Sequence, residues 1–182
     1  MAELKRYSHL NRLDRITGAQ QILTTDHALI HDGRGYSVDT RDLALADSAY
    51  LTVAIKTDPA VYIHMKNYSA WTDSDYCLFT IQEGATITGG TLAGQNRNRV
   101  TSELLKSEIK TGVTISAAGA ELEGQIISGG SGVGGTSQSG ERNVDIEWVL
   151  KPDTQYVFKL LNSSGGAAKA FMWVFFYEED EG

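Results

Sequence analysis

The chain reads as an all-β protein: an antiparallel, jelly-roll-like β-sandwich behind an extended or short-helical N-terminal arm. Three observations predict this. From Tyr36 onward apolar residues alternate with polar ones at a period of two, the signature of half-buried strands. Clusters of Gly, Asn, Asp and Ser separate the runs, and 19 glycines against 2 prolines suit wide β loops. No strand–helix–strand spacing appears, which argues against a parallel sheet.

Residues 1–30 form the arm. Leu4, Tyr7, Leu10, Leu13 and Ile16 recur every third residue, a thin apolar stripe that allows a short helix stopped at Thr17-Gly18. The spacing drifts from 3.6, so an extended arm fits as well. The sandwich domain spans residues 31–182. Its first strands show Leu51, Val53 and Ile55, then Val61, Ile63 and Met65, then Cys77, Phe79 and Ile81, each alternating with polar neighbours. Ile87, Leu92, Leu104-Leu105, Val113–Ile115 and Gln125–Ile127 are shorter candidates in a less regular middle. A Gly-rich loop at 128–140 follows, long enough to join two strands flexibly. Val144, Ile146, Trp148 and Leu150 then face away from Asp145 and Glu147. After a turn at Lys151-Pro152-Asp153-Thr154 come Tyr156, Phe158 and Leu160. The last run, Ala167 to Tyr177, is long and aromatic on one face through Phe171, Trp173, Phe175 and Tyr177, and from Ala170 onward its other face is apolar too.

A chain of 182 residues suits one domain plus an arm, and buries a core without disulfides or metal. Hydrophobic content of 41% and charged content of 21% are those of an ordinary globular protein. Cys77 is the only cysteine, and its apolar setting predicts a small buried side chain rather than a catalytic thiol. No apolar run reaches the length of a membrane-spanning helix, and Met1–Arg6 leads into polar residues rather than a signal-like apolar stretch. The expectation is a protein folded in a cytoplasm, with no membrane partner. The net charge of −7 disfavours nucleic acid. That charge is uneven: within residues 1–20 Lys5, Arg6, Arg12 and Arg15 outnumber Glu3 and Asp14, while Glu178, Glu179, Asp180 and Glu181 crowd the other end. The acidic end reads as a solvated, frayed tail.

Motifs for chemistry fail on their context. Gly130-Ser131-Gly132-Val133-Gly134-Gly135 matches G-x-G-x-x-G, yet no helix follows to hold a pyrophosphate. His27 and His31 share a face only on a helix, and Gly33-Arg34-Gly35 follows at once; polar turn chemistry where the arm meets the first strand is the expected role. No serine sits in a nucleophile setting. The chain is therefore expected to be no enzyme and to need no cofactor or metal. Asn96-Arg97-Asn98-Arg99 stands out instead: Asn side chains can bind carbonyls and Arg forks carboxylates on a partner, the alternative being an exposed turn rich in polar residues.

Four stretches carry a family resemblance: Ile30 to Val38 (IHDGRGYSV), Asn96–Arg99, the strand–turn–strand Trp148 to Tyr156, and Leu161 to Ala167 (LNSSGGA) leading to an aromatic, acidic end. In this order the chain resembles the head decoration (cement) proteins of tailed bacteriophages. The resemblance implies a jelly-roll-like sandwich that forms a homo-oligomer, usually a trimer. It implies a place on the capsid exterior, clamping major capsid protein subunits against internal DNA pressure. Residues 100–127 depart from the family's pattern.

On that reading Lys5, Arg6, Arg12, Arg15, Arg97 and Arg99 are the candidate capsid contacts. Phe171, Trp173, Phe175 and Tyr177 are the candidate oligomer interface, since one face of the last strand belongs in the core and the other is left apolar. The alternative is a carbohydrate-binding or host-attachment module in which Tyr68, Trp71 and Tyr76 stack on a glycan.

Overall fold

The computed structural model describes residues 11–13, 20–22, 29–100, 104–129, 140–141 and 147–180. Within the arm, β1 (Asn11–Leu13) and β2 (Gln20–Ile22) pair antiparallel with Arg12 opposite Gln21. This part of the arm takes the extended form of the two that its apolar spacing allows. Lys5, Arg6, Arg15 and His27 lie outside the described residues, as does the Arg12 side chain.

One helical turn at residues 29–31 leads into the sandwich and ends at Gly33, whose φ is 79°. Gly33 N–H donates to Ile30 C=O at 3.0 Å and Arg34 N–H to Leu29 C=O at 2.9 Å. This bond pair closes a helix end only around a left-handed residue, which glycine adopts without a Cβ penalty.

From there β3 (Gly35–Leu45), β4 (Tyr50–Lys56), β5 (Val61–Thr72) and β6 (Cys77–Glu83) pass alternately between two sheets. An excursion of short strands follows: β7 (Thr86–Thr88), β8 (Thr91–Leu92), β9 (Gln95–Asn96), β10 (Glu108–Thr111) and β11 (Thr114–Ala117). The chain returns through β12 (Ala120–Ile127), β13 (Gly140–Glu141), β14 (Trp148–Leu150), β15 (Gln155–Asn162) and β16 (Ala168–Asp180). Without the excursion, one sheet runs β3-β16-β5-β14 and faces a second running β4-β15-β6-β12, all antiparallel. That order is a jelly roll. Between the sheets, Val53, Ile55, Phe79, Ile81, Phe158 and Leu160 meet Ile63, Met65, Met172, Val174 and Phe176, all fully or almost fully buried. Each such side chain stabilises the fold by roughly 1.5–3 kcal/mol.

One irregularity in β5 changes which residues are inside. Phe175 pairs with Asn67 but Phe176 pairs with Met65, so Lys66 is an extra residue on β5. A one-residue bulge reverses strand parity beyond it. Ile63 and Met65 point inward before the bulge, and Tyr68, Ala70 and Thr72 after it. Tyr68 is therefore buried, stacked on Phe79 at 5.2 Å, with its hydroxyl donating to Glu123 Oε2 at 2.7 Å. Trp71 is turned to the outside.

The excursion does two things. β9 adds to β3 while β10 and β8 add to β4, which widens both sheets at one edge. The β7–β11 pair covers the outer face of the second sheet, where Ala54, Ala85, Val113 and Val157 form a small buried cluster. Val113 N–H donates to Thr52 Oγ1 at 2.9 Å, pinning this third layer. It is why β4 is buried on both faces from Leu51 to Ile55. Leu104-Leu105, a strand candidate by sequence, takes no strand pairing. At the opposite edge β12 carries a bulge between Glu121 and Glu123, and the Glu123 carboxylate reaches inward to Tyr68. A bulge and an inward charge blunt an edge against strand addition.

Candidate protein-binding face

The outer face of β5-β16-β3 is built from cross-strand rows. Phe171 sits between Trp71 and Arg41, Trp173 between Ser69 and Asp39, and Phe175 between Asn67 and Ser37. Phe171, Trp173, Phe175 and Trp71 are half-buried, while Asp39 and Arg41 are exposed. Trp173 and Phe175 stack with centroids 6.3 Å apart and planes at 10°. Sheets with one face on solvent usually turn polar residues outward there, so an aromatic row on this face is notable chemistry.

β9 brings the polar loop to the same face. Ser37 pairs with Gln95 and Tyr36 with Asn96, and Arg97 N–H donates to Gly35 C=O at 2.8 Å. The Arg97 guanidinium then lies 5.5 Å from the Phe175 ring centroid, within reach of a cation–π attraction. Two groups of residues that the sequence suggests separately thus form one surface. The Asn residues do something else. Asn96 Nδ2 donates to Gly33 C=O at 2.6 Å and Asn98 Nδ2 to His31 C=O at 2.7 Å. Asn98 N–H and Val100 N–H donate in turn to the Asn96 and Asn98 side-chain oxygens. The carbonyls they satisfy belong to their own chain rather than to a partner: Asn anchors inward, and Arg97 and Arg99 remain exposed.

Tyr177 does not continue the aromatic row as an open surface. It is buried, stacks on His64 at 4.6 Å, and donates its hydroxyl to Glu147 Oε1. Glu147 also meets His64 Nδ1 at 2.6 Å and Lys66 Nζ at 2.9 Å, and His64 Nε2 lies 3.2 Å from Glu179. Burial alone would raise the Glu147 carboxyl, but the hydrogen bonds from Tyr177, Lys66 and His64 outweigh it and hold it below the usual range.

The acidic end is likewise no frayed tail as far as Asp180. Even-numbered residues of β16 face inward, so Glu178 is buried, and its two oxygens accept Lys106 N–H at 3.0 Å and Ser107 N–H at 2.8 Å. Asp180 pairs with Arg34 at 3.1 Å and with Lys106. The Lys106 hydrogen bond and then the Arg34 charge hold its carboxyl low. Arg34, Tyr36, Leu104, Lys106, Glu178 and Asp180 line an open pocket of about 280 Å³ whose charged groups are thus already partnered. The glycan-stacking trio does not assemble: Tyr68 is in the core, Trp71 is on the outer face, and Tyr76 is exposed before β6.

Acid should weaken this fold through groups that can be named. The Lys151 ammonium, and after it the Tyr156 hydroxyl, hydrogen-bond to Glu83 and hold its carboxyl below the usual range. Burial and the Glu83 carboxylate push the Tyr156 phenol up to about 12. A carboxyl lower in the folded state contributes stability that is complete above its unfolded value, about 4.3, and lost as pH falls through the folded value. Urea midpoints should therefore fall below about pH 4.3, and more gently in Lys151→Met. An identical acid limb in that variant would remove Lys151 as a cause.

The fold defines an all-β jelly-roll sandwich. Compared with family models, curated proteins and solved structures, the chain matches none.

Proposed function

We propose that the protein is a structural virion protein that binds the outer surface of a bacteriophage capsid and stabilises contacts between major capsid subunits, working as a homo-oligomer. The observation that carries a protein-binding role is the Arg97 guanidinium over Phe175, at 5.5 Å from the ring centroid. It joins the basic loop to Trp173, Phe171 and Trp71 in a single outer face. Aromatic and Arg side chains on a rigid support are the residues that dominate protein interfaces. The capsid partner and the trimeric state come from the family resemblance of the sequence, since a jelly roll hosts many functions.

The experiment is co-sedimentation of the purified protein with capsid shells lacking it. Trp173→Ser with Arg97→Ala is expected to weaken binding at least about tenfold, the effect of losing about 1.4 kcal/mol, with cooperative unfolding retained. Undiminished binding by that variant would move the contact to another surface.

A further inference from the structure

The two long edges of the sandwich differ in charge and match in apolar exposure. At the edge widened by the excursion, Val100 is 98% exposed, Leu104 86% and Leu92 70%. Arg99 stands beside Val100, exposed and without an ion pair among the described residues. At the opposite edge Ile126 on β12 is 59% exposed and Tyr76, just before β6, is 40% exposed. Ile126 pairs with Leu78 and Ile127 with Cys77, which brings Tyr76 to the same end of β12. The charged groups here are Glu121 and Asp75, both exposed and also without an ion pair among the described residues. No single copy can join edges that lie on opposite sides of its own sheets.

We propose that these edges recognise each other between copies, so that the Arg99–Val100–Leu104 edge of one protomer seats on the Glu121–Ile126–Tyr76 edge of the next. This rests on the homo-oligomeric part of the function proposed above and names the surfaces that would serve it. A contact between unlike edges is head-to-tail, and closes into a ring when its rotation permits. It is made by side chains rather than by strand addition. β8 and β9 are only two residues long, and β12 is blunted by its bulge and the inward Glu123. Neither edge includes Phe171, Trp173 or Phe175, so the contact does not use the aromatic row itself; it adjoins that face at Arg97, two residues before Arg99 on the same loop.

Light scattering coupled to size exclusion tests the arrangement through two variants. One is Val100→Ser with Leu104→Ser, and the other is Ile126→Ser with Glu121→Lys. The wild-type chain is expected to elute as an oligomer, and each variant alone as a monomer with self-association weakened at least tenfold. An equimolar mixture of the two retains one good edge on each partner and should give dimers of twice the 19.8 kDa chain mass. Arg99→Glu and Glu121→Arg, combined in one chain, should restore the oligomer that either change alone weakens, which decides the matter should a serine variant unfold. A monomeric wild type would overturn both this inference and the homo-oligomer. An oligomer that both variants leave intact, or a mixture that stays monomeric, would overturn the edge contact alone.

Discussion

Asn162→Leu is expected to destabilise the sandwich by about 3 kcal/mol or more, because each buried group left unsatisfied costs about 1–3 kcal/mol and breaking a buried hydrogen-bond network is among the causes of the largest single-substitution effects. Asn162 is fully buried at the end of β15. Its Nδ2 donates to the carbonyls of Leu45, Ala46 and Gly166 at 2.9, 3.2 and 2.8 Å. Its Oδ1 accepts Ser164 N–H at 3.1 Å and the Ser164 hydroxyl at 2.8 Å. One amide thus ties the β3–β4 turn to the β15–β16 turn, and leucine would leave those groups without partners in a space that excludes water. Asn162→Asp should not rescue the fold, because a carboxylate would face three carbonyl oxygens with no proton to donate. Urea unfolding checks this, with the exposed Ser163→Ala as a neutral neighbour. A loss below about 1 kcal/mol, the net worth of a single ordinary hydrogen bond, would show that the turns hold without the amide.

Glu178→Ala is expected to cost about 2–4 kcal/mol, since each buried group left unsatisfied costs about 1–3 kcal/mol. The two N–H groups at stake, on Lys106 and Ser107, belong to the stretch that enters β10. Glu178→Gln should recover only part of this, because its amide nitrogen would oppose one of the two donors. The loss should also be local. Hydrogen exchange is expected to quicken at Lys106–Thr111 more than in β5 or β15, because the carboxylate fastens the excursion to the last strand rather than building the core. Uniform acceleration across the whole chain would instead make Glu178 part of the global fold.

Much of the architecture was legible in local pattern. Alternation marked β4, β5, β6, β15 and β16, and the lone Cys77 is buried as its apolar setting suggested. Prominent among the misreadings is Tyr68, on the side of β5 that its even-numbered polar neighbours Tyr62, His64 and Lys66 mark as outer. Strict alternation from Met65 puts Tyr68 outside and Trp71 inside. The bulge at Lys66 reverses both. Nothing in Met65-Lys66-Asn67-Tyr68 announces an extra residue, because a bulge is forced by the register of the partner strand. The acidic end misled for a related reason: Glu178 looks like a solvated residue until the inward parity of β16 aims it at two backbone donors.

What the chain carried within itself is therefore a set of short-range properties. Period-two hydrophobicity selects strands, turn residues space them, and the absence of crossover helices makes the sheets antiparallel. Folding in three dimensions settled matters that depend on distant partners. The bulged register of β5 against β16 chose which aromatics face outward. The excursion turned back to cover one sheet and widen both, and β9 carried Arg97 onto Phe175. Pairing energies between segments far apart in sequence govern those outcomes, and no window of neighbouring residues contains them.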